Sequence, residues 1–204
     1  MKKLAFLITS TILIFNLSNL EAQENKAGVK GGLNYSTMTG DDIDGAKAQA
    51  KYHIGGFATI GITEFFALQP ELLYSKKGAN SDNGDLNLST LDVPFLAKIY
   101  LSDNFNIHAG PQLGVPLQAE VEANGETEDI KEQFKDLYLE GVIGIEFETD
   151  MGLMFGARYN ASLGSIGDEY EAVDASVPGG NVTVTADAPD YKNSVIQAFV
   201  GFSF

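Results

Sequence analysis

Charged side chains recur at alternate positions within otherwise apolar segments, and they are the residues of this sequence that could do chemistry. Alternation along a strand places such residues on one face of a sheet. Because an unpaired buried charge costs several kcal/mol, their near balance of sign predicts a buried ion-pair network, in which Arg158 binds carboxylates such as Glu71 or Glu140. A gated path for ions or protons is the alternative. The predicted network consists of Lys30, Lys98, Arg158, Glu71, Asp92, Glu140 and Glu146.

The two histidines and the absence of cysteine restrict metal and cofactor chemistry. His53 falls near one end of its predicted strand and His108 near the opposite end of another. With a rise of about 3.3 Å per residue and a tilt near 45°, their depths differ by about 14 Å, too far for a shared metal. We predict no cofactor or metal, and a hydrogen-bonded interior position for each histidine. No serine, histidine and carboxylate set comes together, so we expect no enzyme activity.

The elements that must position these side chains are long strands. Period-two alternation predicts eight of them, and no helical period of comparable length occurs. The connections alternate between long and short, as in an antiparallel meander with two unlike ends. The predicted strands are 27–37, 51–62, 65–77, 88–101, 105–117, 136–148, 152–164 and 192–204.

The face of each strand opposite the charged one is apolar and carries no charged residue. Ile60, Leu68, Ile99 and Val200 are representative of it. A soluble barrel needs the reverse arrangement, with apolar side chains inside and polar ones outside. The pattern therefore predicts an all-β, eight-stranded antiparallel up-and-down transmembrane β-barrel of the outer-membrane type, with lipid outside and a polar interior filled by side chains.

Aromatic residues of the apolar face collect at its two ends, as in the interfacial girdles of membrane barrels. Tyrosines fall at the end with the long connections and phenylalanines at the end with the short turns. Phe204 is predicted to close the last strand against the first, which removes a free edge. The predicted membrane-interface aromatics are Tyr35, Tyr52, Tyr74, Phe66, Phe105, Phe147, Phe202 and Phe204.

The first residues resemble an export signal. Lys2 and Lys3 precede an apolar run, and Leu20-Glu21-Ala22 matches a cleavage site. We therefore predict a cleaved signal peptide at residues 1–22, a barrel domain at residues 23–204 and an outer-membrane location. The formal net charge of -15 would repel the phosphates of nucleic acid, so we expect no nucleic-acid partner.

Several segments resemble the PorT-like, or porin-family, small outer-membrane β-barrel proteins of Bacteroidetes. These segments are "GVKGGLNYS" (28–36), "YHIGGFATIGITEFFALQPELLYSKKG" (52–78), "LDVPFLAKIYL" (91–101) and "HAGPQLGV" (108–115), together with the last strand. The resemblance implies an eight-stranded barrel of mostly undefined role, whose namesake is linked to protein secretion across the outer membrane.

Acidic residues are concentrated in the long connections, where we expect a solvated surface. They are Asp41, Asp42 and Asp44, then Glu120, Glu122, Glu126, Glu128, Asp129 and Glu132, then Asp168, Glu169, Glu171, Asp174, Asp187 and Asp190. The expected partners are outer-membrane lipid, the barrel-assembly machinery through the C-terminal strand, and a protein at these loops.

The sequence thus predicts a structural or partner-binding barrel. Three alternatives remain open at this point: a narrow channel for ions or small solutes, an accessory factor for secretion across the outer membrane, and a soluble lipocalin-like ligand carrier.

Overall fold

The computed structural model describes residues 25–39, 47–81, 84–123, 125–168, 170–177, 180–186 and 191–204. The predicted signal peptide, residues 1–22, lies outside them. Within these ranges no helix is long and apolar enough to cross a membrane. The described strands and the one short 3₁₀ helix are β1 (Lys26–Thr39), β2 (Lys47–Thr63), β3 (Phe66–Ser81), β4 (Gly84–Ser102), β5 (Phe105–Ala123), β6 (Glu126–Asp129), η1 (Lys131–Gln133), β7 (Tyr138–Glu148), β8 (Leu153–Ser162), β9 (Tyr170–Val177), β10 (Gly180–Ala186) and β11 (Lys192–Ser203).

Eight of the described strands form a closed antiparallel barrel. The ring runs β1, β2, β3, β4, β5, β7, β8 and β11, and β11 returns to pair with β1. Gly28 lies opposite Ser203, and Ala27 and Phe204 exchange two backbone hydrogen bonds of 3.2 and 2.8 Å. The predicted eight-stranded antiparallel barrel is therefore confirmed, including closure of the last strand on the first. Strand β6 pairs with β5 beyond the ring, and β9 and β10 form a separate two-stranded sheet.

The two faces of the wall differ as the alternation predicts. Outward apolar side chains stay exposed on the isolated chain, for example Ile143 at 62% and Val200 at 55%. Inward neighbours are buried although many are polar, for example Lys98 at 0% and Gln197 at 0%. An apolar outer wall around a polar interior suits hydrocarbon as the surrounding solvent.

Several strands extend further at the long-connection end than the sequence predicts. Strand β2 begins at Lys47, β3 runs to Ser81, β4 begins at Gly84 and β5 runs to Ala123. The predicted loop 78–87 is consequently almost entirely paired, from Gly78 opposite Asn87 to Ser81 opposite Gly84. This segment is rich in glycine, asparagine and aspartate, which are depleted in strands. Its composition therefore predicts a loop and not the hairpin that the structure contains.

Three prolines interrupt neighbouring ladders of the wall at similar heights: Pro70 in β3, Pro94 in β4 and Pro111 in β5. Pairing stops for two positions at each proline and then resumes in the same register. Proline has no N–H, so each one removes a single ladder hydrogen bond and leaves the carbonyl across from it without a donor. The wall of β2 to β5 is therefore less completely hydrogen-bonded than the rest.

We expect Pro111→Val to be more stable than Pro116→Val by about 1 kcal/mol, the net worth of a backbone hydrogen bond. The new N–H at position 111 faces the carbonyl of Phe95, whereas Pro116 already pairs with Thr90. Both variants lose the same proline rigidity, so the second is a matched control. Urea unfolding of the refolded protein measures the difference, and equal stability would contradict the assignment.

Candidate functional site: the barrel interior and its cap

Charged side chains of the interior form three layers along the barrel axis. The central layer contains Lys30, Glu71 and Arg158, the short-turn layer contains Lys98 and Glu146, and the long-loop layer contains Lys77, Asp92 and Glu140. Every one of these side chains is fully shielded from solvent. Charges removed from water in this way are stable only when they are paired and hydrogen-bonded.

In the central layer two cations share one carboxylate. Lys30 Nζ lies 2.5 Å from Glu71 Oε1, and Arg158 Nη1 lies 2.8 Å from Glu71 Oε2. Arg158 thus contacts Glu71, one of the two carboxylates expected for it, while its Nε donates to Gln197. The other expected carboxylate, Glu140, is contacted by Lys77, Gln112 and Asn193 instead.

A chain of amides links this layer to one of the histidines. Gln197 Nε2 donates to Asn34 Oδ1 at 2.7 Å, and His53 Nδ1 donates to the same oxygen at 2.7 Å. His108 Nδ1 makes a longer contact of 3.4 Å with Asn106 Oδ1. Within the described residues no three histidine, aspartate or glutamate side chains come together in a way that could hold a metal ion.

The short-turn layer is a single ion pair supported by amides. Lys98 Nζ lies 2.5 Å from Glu146 Oε1 and 2.9 Å from Gln69 Oε1. Asn106 Nδ2 donates to Glu146 at 3.1 Å. At the rim below, the half-exposed Lys26 pairs with Glu148 at 2.9 Å.

The long-loop layer contains the interior cation that the sequence prediction did not include. Lys77 Nζ lies 3.0 Å from Glu140 and 3.1 Å from Asp92, and 3.3 Å from the hydroxyl of Tyr138. The sequence analysis omitted Lys77 because it is the last residue of the predicted strand 65–77. Alternation with Glu71 nevertheless places it on the inward face of that strand. With Lys77 included, the three layers contain four cations and four carboxylates.

Apolar side chains fill the space between the charges. Phe57 and Phe199 are 6% and 4% exposed, and Leu73 and Leu96 are buried. The ring of Phe199 lies 4.3 Å from Lys30 Nζ and 5.8 Å from Arg158 Cζ, which is cation–π distance. An eight-stranded barrel is only wide enough to be filled by its own side chains.

A hydrophobic cluster, here called the cap, lies above the long-loop layer. Ile130 and Phe134 from the connection between β5 and β7 meet Ile166 from the segment after β8. Backbone hydrogen bonds fix these segments together, from Lys135 N to Ile166 O at 2.9 Å and from Ile166 N to Tyr191 O at 2.8 Å. The cap comprises Ala79, Leu88, Ala119, Ile130, Phe134, Tyr138 and Ile166, with Leu86, Val121 and Tyr191 against it.

Phe134→Ala should open the cap while the barrel stays folded. Phe134 is 4% exposed and its ring lies 5.7 Å from that of Tyr191, so its loss leaves a cavity at the cap's centre. We expect protease cleavage within residues 125–137 and unchanged heat-modifiable gel mobility. The exposed neighbour Glu132→Ala is the control. Loss of heat modifiability in Phe134→Ala would show that barrel and cap fold as one unit.

Acidic side chains surround the cap on its outer side, and we call them the acidic rim. The rim adjoins an open cleft of about 660 Å³ lined by Asp129, Lys131, Glu132, Phe134, Asp136 and Asp168. Asp41, Asp42, Asp44, Glu169, Asp187 and Asp190 lie outside the described residues, and the side chains of Glu171 and Asp174 are also outside them. The described rim comprises Glu120, Glu122, Glu126, Glu128, Asp129, Glu132, Asp136 and Asp168.

The predicted interface aromatics lie on the outer wall. Tyr35 is 56% exposed, and the rings of Tyr52 and Tyr74 are 6.4 Å apart. At the short-turn end Phe66 and Phe105 are half-buried, whereas Phe147, Phe202 and Phe204 are 45%, 47% and 76% exposed.

A closed barrel with an apolar wall and a charged, filled interior defines a membrane-spanning β-barrel. The chain belongs to the outer membrane protein beta-barrel domain family, whose family model matches residues 21–168. Membership in this family implies an outer-membrane location. None of the curated proteins compared with the chain matches it in sequence.

Solved structures similar to this chain are barrels of the same kind. Neisserial surface protein A, NspA, superposes with a TM-score of 0.57 at 11% identity, covering 89% of this chain and 100% of NspA. Ail, the attachment invasion locus protein of Yersinia pestis, superposes with a TM-score of 0.51 at 12% identity, again covering 89% and 100% of the two chains. At these identities the similarity concerns the fold alone.

Proposed function

We propose that this outer-membrane barrel is closed to diffusion and acts by binding a partner at its long-loop end. The observation that carries the proposal is the complete burial of the interior charges beneath a folded hydrophobic cap. Burial of Lys77 and Lys98 at 0% exposure opposes a continuous aqueous path.

The acidic rim is the surface we assign to the partner. Glu122, Glu126 and Glu128 are exposed on β5 and β6, where the sheet rises beyond the ring. A dense field of one sign attracts a surface of the opposite sign and raises the rate of association. The proposed partner is therefore a protein with a basic face. The other proposed partners are outer-membrane lipid around the wall and barrel-assembly machinery that receives the last strand.

Closure of the barrel is tested in planar lipid bilayers. The refolded protein should produce no conductance steps, because every layer of the interior is filled. Steps that change in size when Arg158 or Glu71 is neutralised would instead favour the narrow channel.

Partner binding is tested by cross-linking in the native membrane from a photoreactive residue at Thr127, which is exposed in β6. An adduct should form in the wild type and disappear when Glu122, Glu126 and Glu128 are replaced by glutamine. The control replaces Asp103 and Asp150, at the short turns, by asparagine. An adduct that survives neutralisation of the rim would contradict the assigned surface.

The resemblance to PorT-like proteins of Bacteroidetes and the export signal at residues 1–22 are part of the same proposal. A role in secretion predicts that deletion of the gene retains secreted proteins in the periplasm. The proposed signal predicts a mature chain that begins at Gln23, which N-terminal sequencing of membrane-extracted protein would test.

A further inference from the structure

The hairpin of β9 and β10 forms a sheet of its own among the described residues. No described ladder joins it to the barrel, and within the described part of the chain β10 pairs with β9 alone. A two-stranded hairpin without further strands is only marginally stable in water. The outer edge of each strand also carries backbone N–H and C=O groups that another strand can pair with. A further strand on one of these edges would therefore stabilise the hairpin.

The two edges of the hairpin differ in how they are protected. Strand β9, with the sequence YEAVDASV, contains Glu171 and Asp174, and charged residues are a common protection of an edge against another chain. The register also shifts between Val184 and Thr185, which leaves Ala172 of β9 as an extra residue, and such a bulge twists an edge away from flat pairing. Both forms of protection are therefore on β9.

Strand β10 has neither protection. Its sequence, GNVTVTA, contains no charged residue and no proline, and the register shift inserts no residue into it. Four consecutive β-branched residues, from Val182 to Thr185, favour extended structure. The edge of β10 that faces away from β9 is thus the one that is open to strand addition.

The sequence of β10 reads almost the same in both directions about Thr183. Valine stands on each side of it, polar residues come next, and the two smallest residues stand at the ends. These pairs are Val182 and Val184, Asn181 and Thr185, and Gly180 and Ala186. Two antiparallel copies of β10, with Thr183 opposite Thr183, would therefore place valine opposite valine. Pairs of β-branched residues directly opposite each other stabilise a sheet.

Charge also selects this edge for contact between two copies of the chain. The chain has a formal net charge of -15, and the acidic rims of two copies repel each other. Pairing of β10 with β10 places no like charges opposite each other, because the strand has none. Pairing of β9 with β9 would instead bring Glu171 and Asp174 of both copies into one strand pair.

We propose that β10 is a self-association edge, to which a second copy of this chain adds its own β10 in the antiparallel direction. The two hairpins then form one four-stranded sheet in the order β9, β10, β10 and β9, with a two-fold axis at Thr183. Such a contact uses the same surface on both copies, so it closes as a dimer. The edge lies outside the acidic rim, and the dimer does not depend on the partner proposed for that rim.

Disulfide cross-linking of the refolded full-length mature protein in detergent micelles tests the register. The chain contains no cysteine, so each introduced cysteine reports one position. Thr183→Cys should form a dimer on mild oxidation, because opposed residues have Cα atoms about 4.5–5.5 Å apart, within reach of a disulfide. Val182→Cys alone should not, because its two copies would be about 8 Å apart. A mixture of Val182→Cys and Val184→Cys should cross-link, since these positions are opposed.

Sedimentation of the wild type in the same micelles measures association without oxidation. We expect a dimer that strengthens as sodium chloride is added, because salt screens the repulsion between the acidic loops. Thr183→Lys should weaken the dimer by about tenfold or more, since it places two like charges at the two-fold axis. The same change in β9, Ser176→Lys, should leave association nearly unchanged. Heat-modifiable gel mobility checks that the barrel of each variant is folded.

Wild-type protein that sediments as a single barrel at every salt concentration, with no cross-link in Thr183→Cys, would overturn the proposal. Cross-linking of Val182→Cys alone that is as efficient as that of Thr183→Cys would overturn it too, because random collision does not depend on register. A dimer that persists in Thr183→Lys would place the contact elsewhere and have the same consequence. The cysteine variants decide the register even where lysine disturbs the hairpin, because they change β10 least.

Discussion

Replacing Glu71 by glutamine should lower the free energy of unfolding by about 3–5 kcal/mol, the usual result of removing one partner from a buried ion pair. Glu71 is the only described carboxylate that contacts both Lys30 and Arg158. The variant leaves both cations in the barrel centre with no anion within hydrogen-bond distance. Urea titration of protein refolded into vesicles measures the change.

Two further variants separate charge from packing. Glu122→Gln, on the exposed rim, should change stability by less than about 0.5 kcal/mol. Adding Lys30→Met to Glu71→Gln should recover part of the loss, since methionine fits against the neighbouring rings of Phe57 and Phe199. If the double variant loses more free energy of unfolding than the two single variants lose together, the ion-pair explanation fails.

The second large effect is expected on the outer wall, where Ile143→Arg, in the middle of β7, should cost about 2–4 kcal/mol in a bilayer. Ile143 is 62% exposed on the isolated chain, and its strand neighbours across the wall are Ala109 and Tyr159. An arginine at this position meets hydrocarbon. Asp150→Arg, at an exposed turn, should have almost no effect on the same measurement.

Ile143→Ala distinguishes a lipid-facing position from a core position. Lipid tails can fill the space that the smaller side chain leaves, so the cost should stay below about 1 kcal/mol. A buried core position would lose about 2–5 kcal/mol. Strong destabilisation by alanine together with tolerance of arginine would reverse the assignment of inside and outside.

The faces of the wall were predictable because alternation is a local property. Every second residue of a strand faces the same side, so Val200 and Gln197 were assigned correctly without knowledge of their neighbours. Strand ends were less predictable. Lys77 lies where a polar run follows an apolar one, and pairing with β4 extends β3 past the point where composition indicates a loop.

The cap was not predictable for a different reason. Ile130, Phe134 and Ile166 belong to connections that are mostly acidic, and no period links them. They meet because the extended hairpins place Ala79, Leu88 and Ala119 on one surface against which they pack. This surface is formed by tertiary contacts between strands, so the sequence of any one strand does not predict it.

The pairing of β1 with β11 has a consequence for how the chain reaches its native state. Residues 28 and 203 must meet across almost the whole described sequence, and contacts between such distant residues slow folding through the entropy of loop closure. Until they meet, β1 and β11 each present an unpaired edge that another chain can join. We therefore expect this topology to fold slowly. Any factor that shields those two edges should accelerate folding.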